Sequence, residues 1–307
     1  MSSATPQQIE IYLQESAQPA PLTESLTIVL PAKNEDAGLE LILPEIRALY
    51  PEVEIVVVND GSSDNTSQTC EHHDIRLINH RYSIGNGAAI KSGARHALGN
   101  TLVLMDADGQ HRPEDLKILL AKYYEGYDMV VGARDGDSQS GKRRRIGNKI
   151  YNRLASWMTG HRIEDLTSGF RVVNTDKFKE FLHLLPNGFS YPTTITMAFF
   201  RSGYSVAYIP VKTNKRNGKS HIRLIRDGFR FLLIIFRIGT LYSPLKVFVP
   251  FSLFFFLSGL SNYIYTYVTQ GRFTNMSAML FISSVLVFLI GLISEQITNL
   301  MYSQSRR

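Results

Sequence analysis

The sequence predicts an α/β protein: a Rossmann-like, mostly parallel sheet, followed by an interfacial amphipathic helix and a two-helix transmembrane hairpin. Three observations carry that reading. Over the first 220 residues, short and nearly unbroken apolar runs alternate with helical patterns, as a parallel sheet covered on both faces requires. Two long C-terminal stretches are almost free of charge. The formal net charge of +6 is also C-terminal: residues 223–307 hold eight Lys/Arg against two Asp/Glu, leaving twenty-five of each sign before them.

Residues 1–22 read as a tail, and residues 23–220 as one domain. Its strands are expected at LTIVLP, EIVVVND, IRLIN, TLVLMDAD and DMVVG. Helical patterns lie between them, at Leu39 to Leu49, in a polar stretch, in a Gly-rich stretch and after Pro113. The polar run DGDSQSGKRRR (135–145) reads as a mobile loop. Over 221–242 comes RLIRDGFRFLLIIFRI, where Arg223, Arg226, Arg230 and Arg237 fall within about 60° at about 100° per residue. One narrow basic face among Leu, Ile and Phe describes a helix lying on anionic lipid. Residues 243–302 follow as the hairpin. Its first uncharged stretch, Val247 to Gly271, reaches about 37 Å, more than the hydrocarbon core. The second, Phe273 to Ser294, is separated by little more than Arg272. Basic residues flank the outer ends, at Arg237, Lys246, Arg306 and Arg307, so both termini, including the tail 303–307, are expected in the cytoplasm. Glu295 is expected to reach the cytoplasmic headgroups.

Composition removes several classes. A chain that is 44% hydrophobic is neither disordered nor collagenous. A charge-neutral first two-thirds argues against nucleic acid as a partner. Cys70, the single cysteine, excludes an internal disulfide framework. The start MSSATPQQIEIYLQES lacks the basic-then-apolar pattern of a secretory signal, so the first domain is expected in the cytoplasm.

Ligands of open parallel sheets bind beyond the carboxyl ends of the strands, and polar residues collect there. The first strand ends in PAKNE (31–35), the second in NDGSSDNT (59–66), the fourth in DADGQ (106–110) and the fifth in GAR (132–134). A dehydrogenase would need a Gly-rich turn after the first strand, and PAKNE has none. In an extended segment Asp106, Asp108 and Gln110 point the same way. Three hard oxygen ligands suit Mg²⁺ or Mn²⁺ with positions left for phosphates, as in a nucleoside diphosphate compound.

PAKNE, VNDGSSDNT, SIGNGAAIKSG and DADGQHRPED occur in this order at strand-to-helix junctions. Together they resemble inverting nucleotide-sugar glycosyltransferases of the A-type fold, over about residues 25–222. Through LTSGFRVV (166–173), KRNGKSHI (215–222) and the hairpin, the chain is most similar to polyprenyl-phosphate sugar synthases, the dolichyl-phosphate mannose synthase group. The resemblance implies that Pro31, Asn34, Glu35 and Asp60 hold the base and ribose of a GDP- or UDP-linked sugar, mannose or glucose. It gives Asp106, Asp108 and Gln110 to the metal, with Asp106 also at the donor, and Arg216 and Lys219 to the diphosphate. Arg134, Arg144 and Asn148 match acceptor-phosphate contacts, with Arg171 a further cation for the same phosphate. Asp106, Asp108 and Arg134 form the catalytic set. YPTTITMAFF (191–200) departs from relatives that often carry a glutamate there.

A polyprenyl phosphate is already largely dianionic at neutral pH and needs no general base, only cations to let two anions approach. A hydroxyl acceptor is the rival within the same class, with Asp165 as its base. The rival of another class is a noncatalytic membrane scaffold, which the intact DADGQ disfavours. The expected location is a plasma membrane in a bacterium or archaeon and the endoplasmic reticulum in a eukaryote. Assembly as a homo-oligomer is left open.

Overall fold

The structure is a computed structural model that describes residues 25–134, 142–188, 190–213, 236 and 239–304. Arg216 and Lys219, and Arg223, Arg226, Arg230 and Arg237 of the expected interfacial helix, lie outside the described residues.

The first five strands stand where the apolar runs place them: β1 (Leu26–Ala32), β2 (Glu54–Asn59), β3 (Arg76–Asn79), β4 (Thr101–Leu104) and β5 (Met129–Arg134). Between them lie α1 (Asp36–Leu49), α2 (Thr66–His72), α3 (Asn86–His96) and α4 (Leu116–Tyr123), the last behind a short 3₁₀ turn at Pro113–Asp115. Then come α5 (Lys142–Thr159), β6 (Arg171–Asn174), α6 (Thr175–Glu180), α7 (Tyr191–Arg201) and β7 (Val206–Val211). Strand order is β3-β2-β1-β4-β6-β5-β7. Strands β1 to β4 are parallel, β6 runs antiparallel to both β4 and β5, and β5 pairs parallel with β7. The order reverses between β1 and β4, which opens a crevice at their carboxyl ends, the usual ligand position in such sheets. Strand β1 is buried along its whole length. Ile28, Leu30, Val57, Val103 and Val172 fill the core against Leu39, Leu43 and Ile46 of α1 and Leu119 of α4.

One expectation changes in the polar run after β5. Lys142 to Arg145 belong to helix α5. Lys and Arg are good helix formers, and no proline interrupts KRRRIGNKIYNRLASWMT.

By contacts the chain separates into two compact units, Met1–Ala155 with His161–Lys219, and Ser156–Gly160 with Ser220–Arg307. The second contains α8 (Pro244–Gln270) and α9 (Asn275–Gln304), two helices long and apolar enough to cross a membrane. Gly271 ends α8 in the left-handed region at φ 64°, the usual glycine stop. Without water, helices hold together through close packing and shared polar groups. Ser252 Oγ donates to the Ser284 carbonyl and Ser284 Oγ to the Ser252 carbonyl, each at 2.9 Å. Glycines bring the backbones together: a Cβ on Gly259 would lie 3.1 Å from Leu280 Cβ, and one on Gly291 2.8 Å from Phe248 Cβ. Glu295 Oε2 accepts from the Leu245 amide at 3.5 Å, at the start of α8. That amide lies in the first turn of α8, where helix donors lack intrahelical partners.

Candidate active site

The loops after β1 and β2 are knitted together by short polar side chains. Asn34 takes a left-handed φ of 55°. Its amide donates to Ser62 Oγ at 2.9 Å, while its Oδ1 accepts from the Ser63 amide at 2.8 Å. The Glu35 amide donates to Thr66 Oγ1 at 3.2 Å. Asn34 is exposed and Glu35 half-buried, so both stand at the crevice.

Two expected nucleotide contacts have other work. Pro31 is buried inside β1, in register with Val58. Asp60 is 3% exposed and accepts from His80 Nδ1 and Ser83 Oγ at 2.7 Å and from the Ile84 and Gly85 amides at 2.8 Å. Burial raises its pKa, but these four donors outweigh it and hold the carboxyl below the ordinary range. A carboxylate offers about four lone-pair positions, and all are filled. Asp60 therefore fixes the 80–85 turn that leads into α3 instead of reaching out to a base or ribose.

Beyond the end of β4 at Leu104, Ala107 is buried while Asp106 and Asp108 are partly exposed. The segment does not stay extended: residues 107 and 108 already lie in a turn. Gly109 turns at φ 69°, and the Gln110 amide donates to Asp108 Oδ1 at 3.1 Å, so Gln110 is placed by a turn rather than by strand alternation. Two glycines clear the surroundings. A Cβ on Gly38 would come 2.2 Å from the Ala107 carbonyl, and one on Gly169 2.8 Å from Asp106 Oδ2. Among the described residues no three His, Cys, Asp or Glu side chains assemble as a metal cluster. Two aspartates and an amide oxygen are a sparse, hard donor set. Such a set fits an Mg²⁺ or Mn²⁺ that takes its remaining ligands from phosphates and water.

Arg134, the last residue of β5, donates from Nε and Nη2 to the two oxygens of Asp165 at 2.8 and 3.1 Å, and from Nη2 to Thr167 Oγ1 at 2.6 Å. Its side chain remains 27% exposed against 4% for Asp165. Burial lowers the Arg134 pKa, but the Asp165 hydrogen bonds and charge, with Asp106 beyond, raise it on balance. Burial pushes Asp165 up, yet Arg134 and the amides of Thr167 and Arg134 pull it below the ordinary carboxylate range. A buried carboxylate so held is a poor proton acceptor, which weakens the expectation that Asp165 is a general base.

Arg171 departs most from expectation. It is fully buried and points into the protein. It donates to the carbonyls of Ser168 (2.8 Å) and Leu166 (3.4 Å), to Thr196 Oγ1 (2.6 Å) and to the Met129 sulfur. Burial holds its guanidinium below the ordinary arginine value. It reaches no acceptor directly and instead supports the 166–169 turn, which presents Thr167 to Arg134 and Gly169 to Asp106. Helix α7, the YPTTITMAFF segment, is buried from Tyr191 to Phe199, and burial raises the Tyr191 hydroxyl pKa, with Asp106 adding to the shift. Asn148 is half-buried on α5, and Arg144 belongs to the same helix.

Sequence reasoning passed over His111. Its ring packs 5.0 Å from that of Phe170 and its Nδ1 is buried without a partner. Burial pushes its pKa down to about 4, so it is neutral beside Asp108. Gly38 and Thr167 were passed over as well; only the close approach of Gly38 to the Ala107 carbonyl and the bond from Arg134 to Thr167 distinguish them.

Comparison with known proteins agrees with this layout. The model of glycosyl transferase family 2 matches residues 27–182, and that of the GtrB C-terminal hairpin matches 243–300. The glycosyltransferase AglJ of Haloferax volcanii is 26% identical over 302 residues, covering 94% of this chain and 98% of its own. The polyprenol monophosphomannose synthase of Mycolicibacterium smegmatis is 29% identical over 209 residues, 63% of this chain and 79% of its own. The crystal structure of glucosyl-3-phosphoglycerate synthase from Mycobacterium tuberculosis shares the fold with a TM-score of 0.57 at 17% identity, over 78% of this chain and 84% of that one. The chain thus belongs to glycosyltransferase family 2 and, with its GtrB-type hairpin, to the polyprenyl-phosphate sugar synthase group within it.

Proposed function

We propose that the protein transfers a hexose, mannose or glucose, with inversion from a GDP- or UDP-linked donor to a polyprenyl phosphate on the cytoplasmic side of a membrane. A phosphate oxygen of the lipid attacks the anomeric carbon, the bond from that carbon to the donor diphosphate breaks, and the nucleoside diphosphate leaves. The observation that carries this reading is the state of Asp165: buried, ionised and bridged on both oxygens by Arg134. A hydroxyl acceptor needs a base, and this carboxylate is committed elsewhere. A phosphate acceptor needs cations instead, and the partly exposed Arg134, with Arg144 and Asn148 of α5, would supply them.

Asn34 and Glu35 are proposed to meet the nucleotide, and Arg216 and Lys219 its diphosphate. Asp106, Asp108 and Gln110 are proposed to hold Mg²⁺ or Mn²⁺, which supplies Lewis-acid neutralisation of the leaving diphosphate. The test is direct. Purified full-length protein with polyprenyl phosphate is given each of a panel of radiolabelled nucleotide sugars, and label entering the organic phase is counted. The expected result is one donor whose label is released by mild acid, as a sugar phosphodiester is. Label only in a product resistant to mild acid would overturn the phosphate acceptor.

A further inference from the structure

The 80–85 turn is fixed far more heavily than a connection between β3 and α3 requires. Asp60 holds it through His80 Nδ1, Ser83 Oγ and the Ile84 and Gly85 amides. His80 is held in turn, its amide donating to the Asn59 carbonyl at 2.9 Å and its Nε2 pairing with Ser92 Oγ at 2.9 Å. From the loop after β1, Lys33 Nζ donates to Ser83 Oγ at 2.9 Å. The backbone is packed as tightly. A Cβ on Gly61 would come 2.7 Å from the Ser83 nitrogen and 2.8 Å from the Tyr82 carbonyl carbon.

This rigid mount carries Tyr82, 71% exposed, with Ile84 40% exposed two residues on. A single exposed aromatic residue needs no explanation, but one on a backbone already ordered spares a ligand much of the ordering cost of binding. Its place in the sheet order fits a ligand as well. Tyr82 follows β3, whereas Asp106 and Asp108 follow β4, in the order β3-β2-β1-β4. The two strands lie three spacings apart, about 14 Å. On the other side of β4 come β6 and β5, and there Arg134 is paired with Asp165. A donor held by its diphosphate at Asp106 and Asp108 therefore lays its nucleoside the other way, over Asn34 and the loops after β1 and β2. That path ends at the 80–85 turn.

We propose that Tyr82 is the platform on which the donor's nucleobase stacks, and that Asp60 serves the nucleotide only by fixing the turn that presents Tyr82. The occupant is a base because the turn is tied to Lys33 and packed on Gly61, beside the loop residues proposed to meet the nucleotide. A tyrosine ring offers a flat face at little conformational cost, and every base has a face to lay on it. Asp60 is then a positioning residue. The inference rests on the function proposed above in one respect, that the ligand is a nucleotide.

Binding tests it without turnover. The full-length protein in detergent is titrated calorimetrically with UDP, GDP and inorganic diphosphate, each with Mn²⁺. Tyr82→Ala should weaken the nucleoside diphosphate that binds by about 5- to 150-fold, the range of one aromatic-base stack, and leave inorganic diphosphate unaffected. Tyr82→Phe should bind as wild type does, because stacking uses the ring and not the hydroxyl. Unchanged nucleotide affinity in Tyr82→Ala, or an equal loss for inorganic diphosphate, would overturn the platform. Ser83→Ala removes one donor from Asp60 and the anchor of Lys33, so it should weaken the nucleotide in wild type and add little in the Tyr82→Ala background. Additive losses would mean that the turn meets the nucleotide elsewhere and would overturn the positioning role. If folded wild type binds neither UDP nor GDP, the proposed function itself falls, and this site with it.

Discussion

Arg134 and Asp165 illustrate how one ion pair decides between two chemistries. If Asp165 were a base, Asp165→Asn would remove the acidic limb of the rate-pH profile and cost about 10²- to 10⁴-fold in kcat. On the positioning role its loss frees Arg134, so the expected outcome is a raised KM for the lipid phosphate with the shape of the pH profile retained. Removing one member of a buried pair costs about 3–5 kcal/mol, so thermal unfolding should be followed in parallel. Because the Asp165 pKa lies below its ordinary value, its contribution to stability is complete above the usual aspartate pKa of about 3.9. It should disappear as the pH falls through the lowered folded value, which acid titration of wild type against Asp165→Asn would show. Gly169 gives a second prediction. A methyl there would press on the Asp106 carboxylate at 2.8 Å. Gly169→Ala should therefore weaken Mn²⁺ binding, measured by calorimetry with the nucleotide present, while the far end of a side chain gives way without unfolding the protein. Unchanged affinity would remove Gly169 from the site.

The elements differ in how far the sequence revealed them. Strands β1 to β5 announce themselves because doubly buried strands are unbroken apolar runs, and both long helices because hydrocarbon tolerates so little charge. β6 hid inside LTSGFRVV: four residues are too short for periodicity, and its antiparallel direction is set by pairing with β4 and β5. α5 hid behind a basic run that looks like a loop when its buried face is not known. Among the candidate site residues, the motifs indicate the exposed or partly exposed positions of Asn34, Asp106 and Asp108 at strand ends. They do not indicate the burial of Asp60 and Arg171, since a charged residue type says nothing about whether its donors and acceptors are already used. The hairpin carries its own prediction. Gly259→Leu would drive a branched side chain into Leu280 and Phe281, and overpacking of this kind costs about 1–3 kcal/mol. A lower Tm in detergent with unaltered nucleotide binding is expected; an unchanged Tm would mean that the helices do not meet at this glycine.

For the whole chain, the proposed topology leaves only the Arg272 turn on the far side of the membrane. Cys70 makes this easy to test, because it is fully buried and burial, with the charge of Glu71, raises its thiol to about 11, leaving it unreactive at neutral pH. In intact cells Arg272→Cys should react with a membrane-impermeant maleimide while wild type stays silent; labelling only after lysis would invert the topology. The sheet order has a further consequence. Apart from Arg216 and Lys219, the residues proposed to meet the donor follow β1, β3 and β4, on the parallel side of the sheet, whereas Arg134 ends β5 and the helix that carries Asn148 follows it, beyond the antiparallel β6. The proposed nucleotide and metal contacts and the proposed acceptor contacts are then carried on separate stretches of chain joined through α4, with only the diphosphate contacts Arg216 and Lys219 on the acceptor's stretch. A crossover between two homologous genes within α4 would exchange the proposed nucleotide and metal contacts and leave the acceptor contacts intact, so a lineage can alter its donor without relearning its lipid.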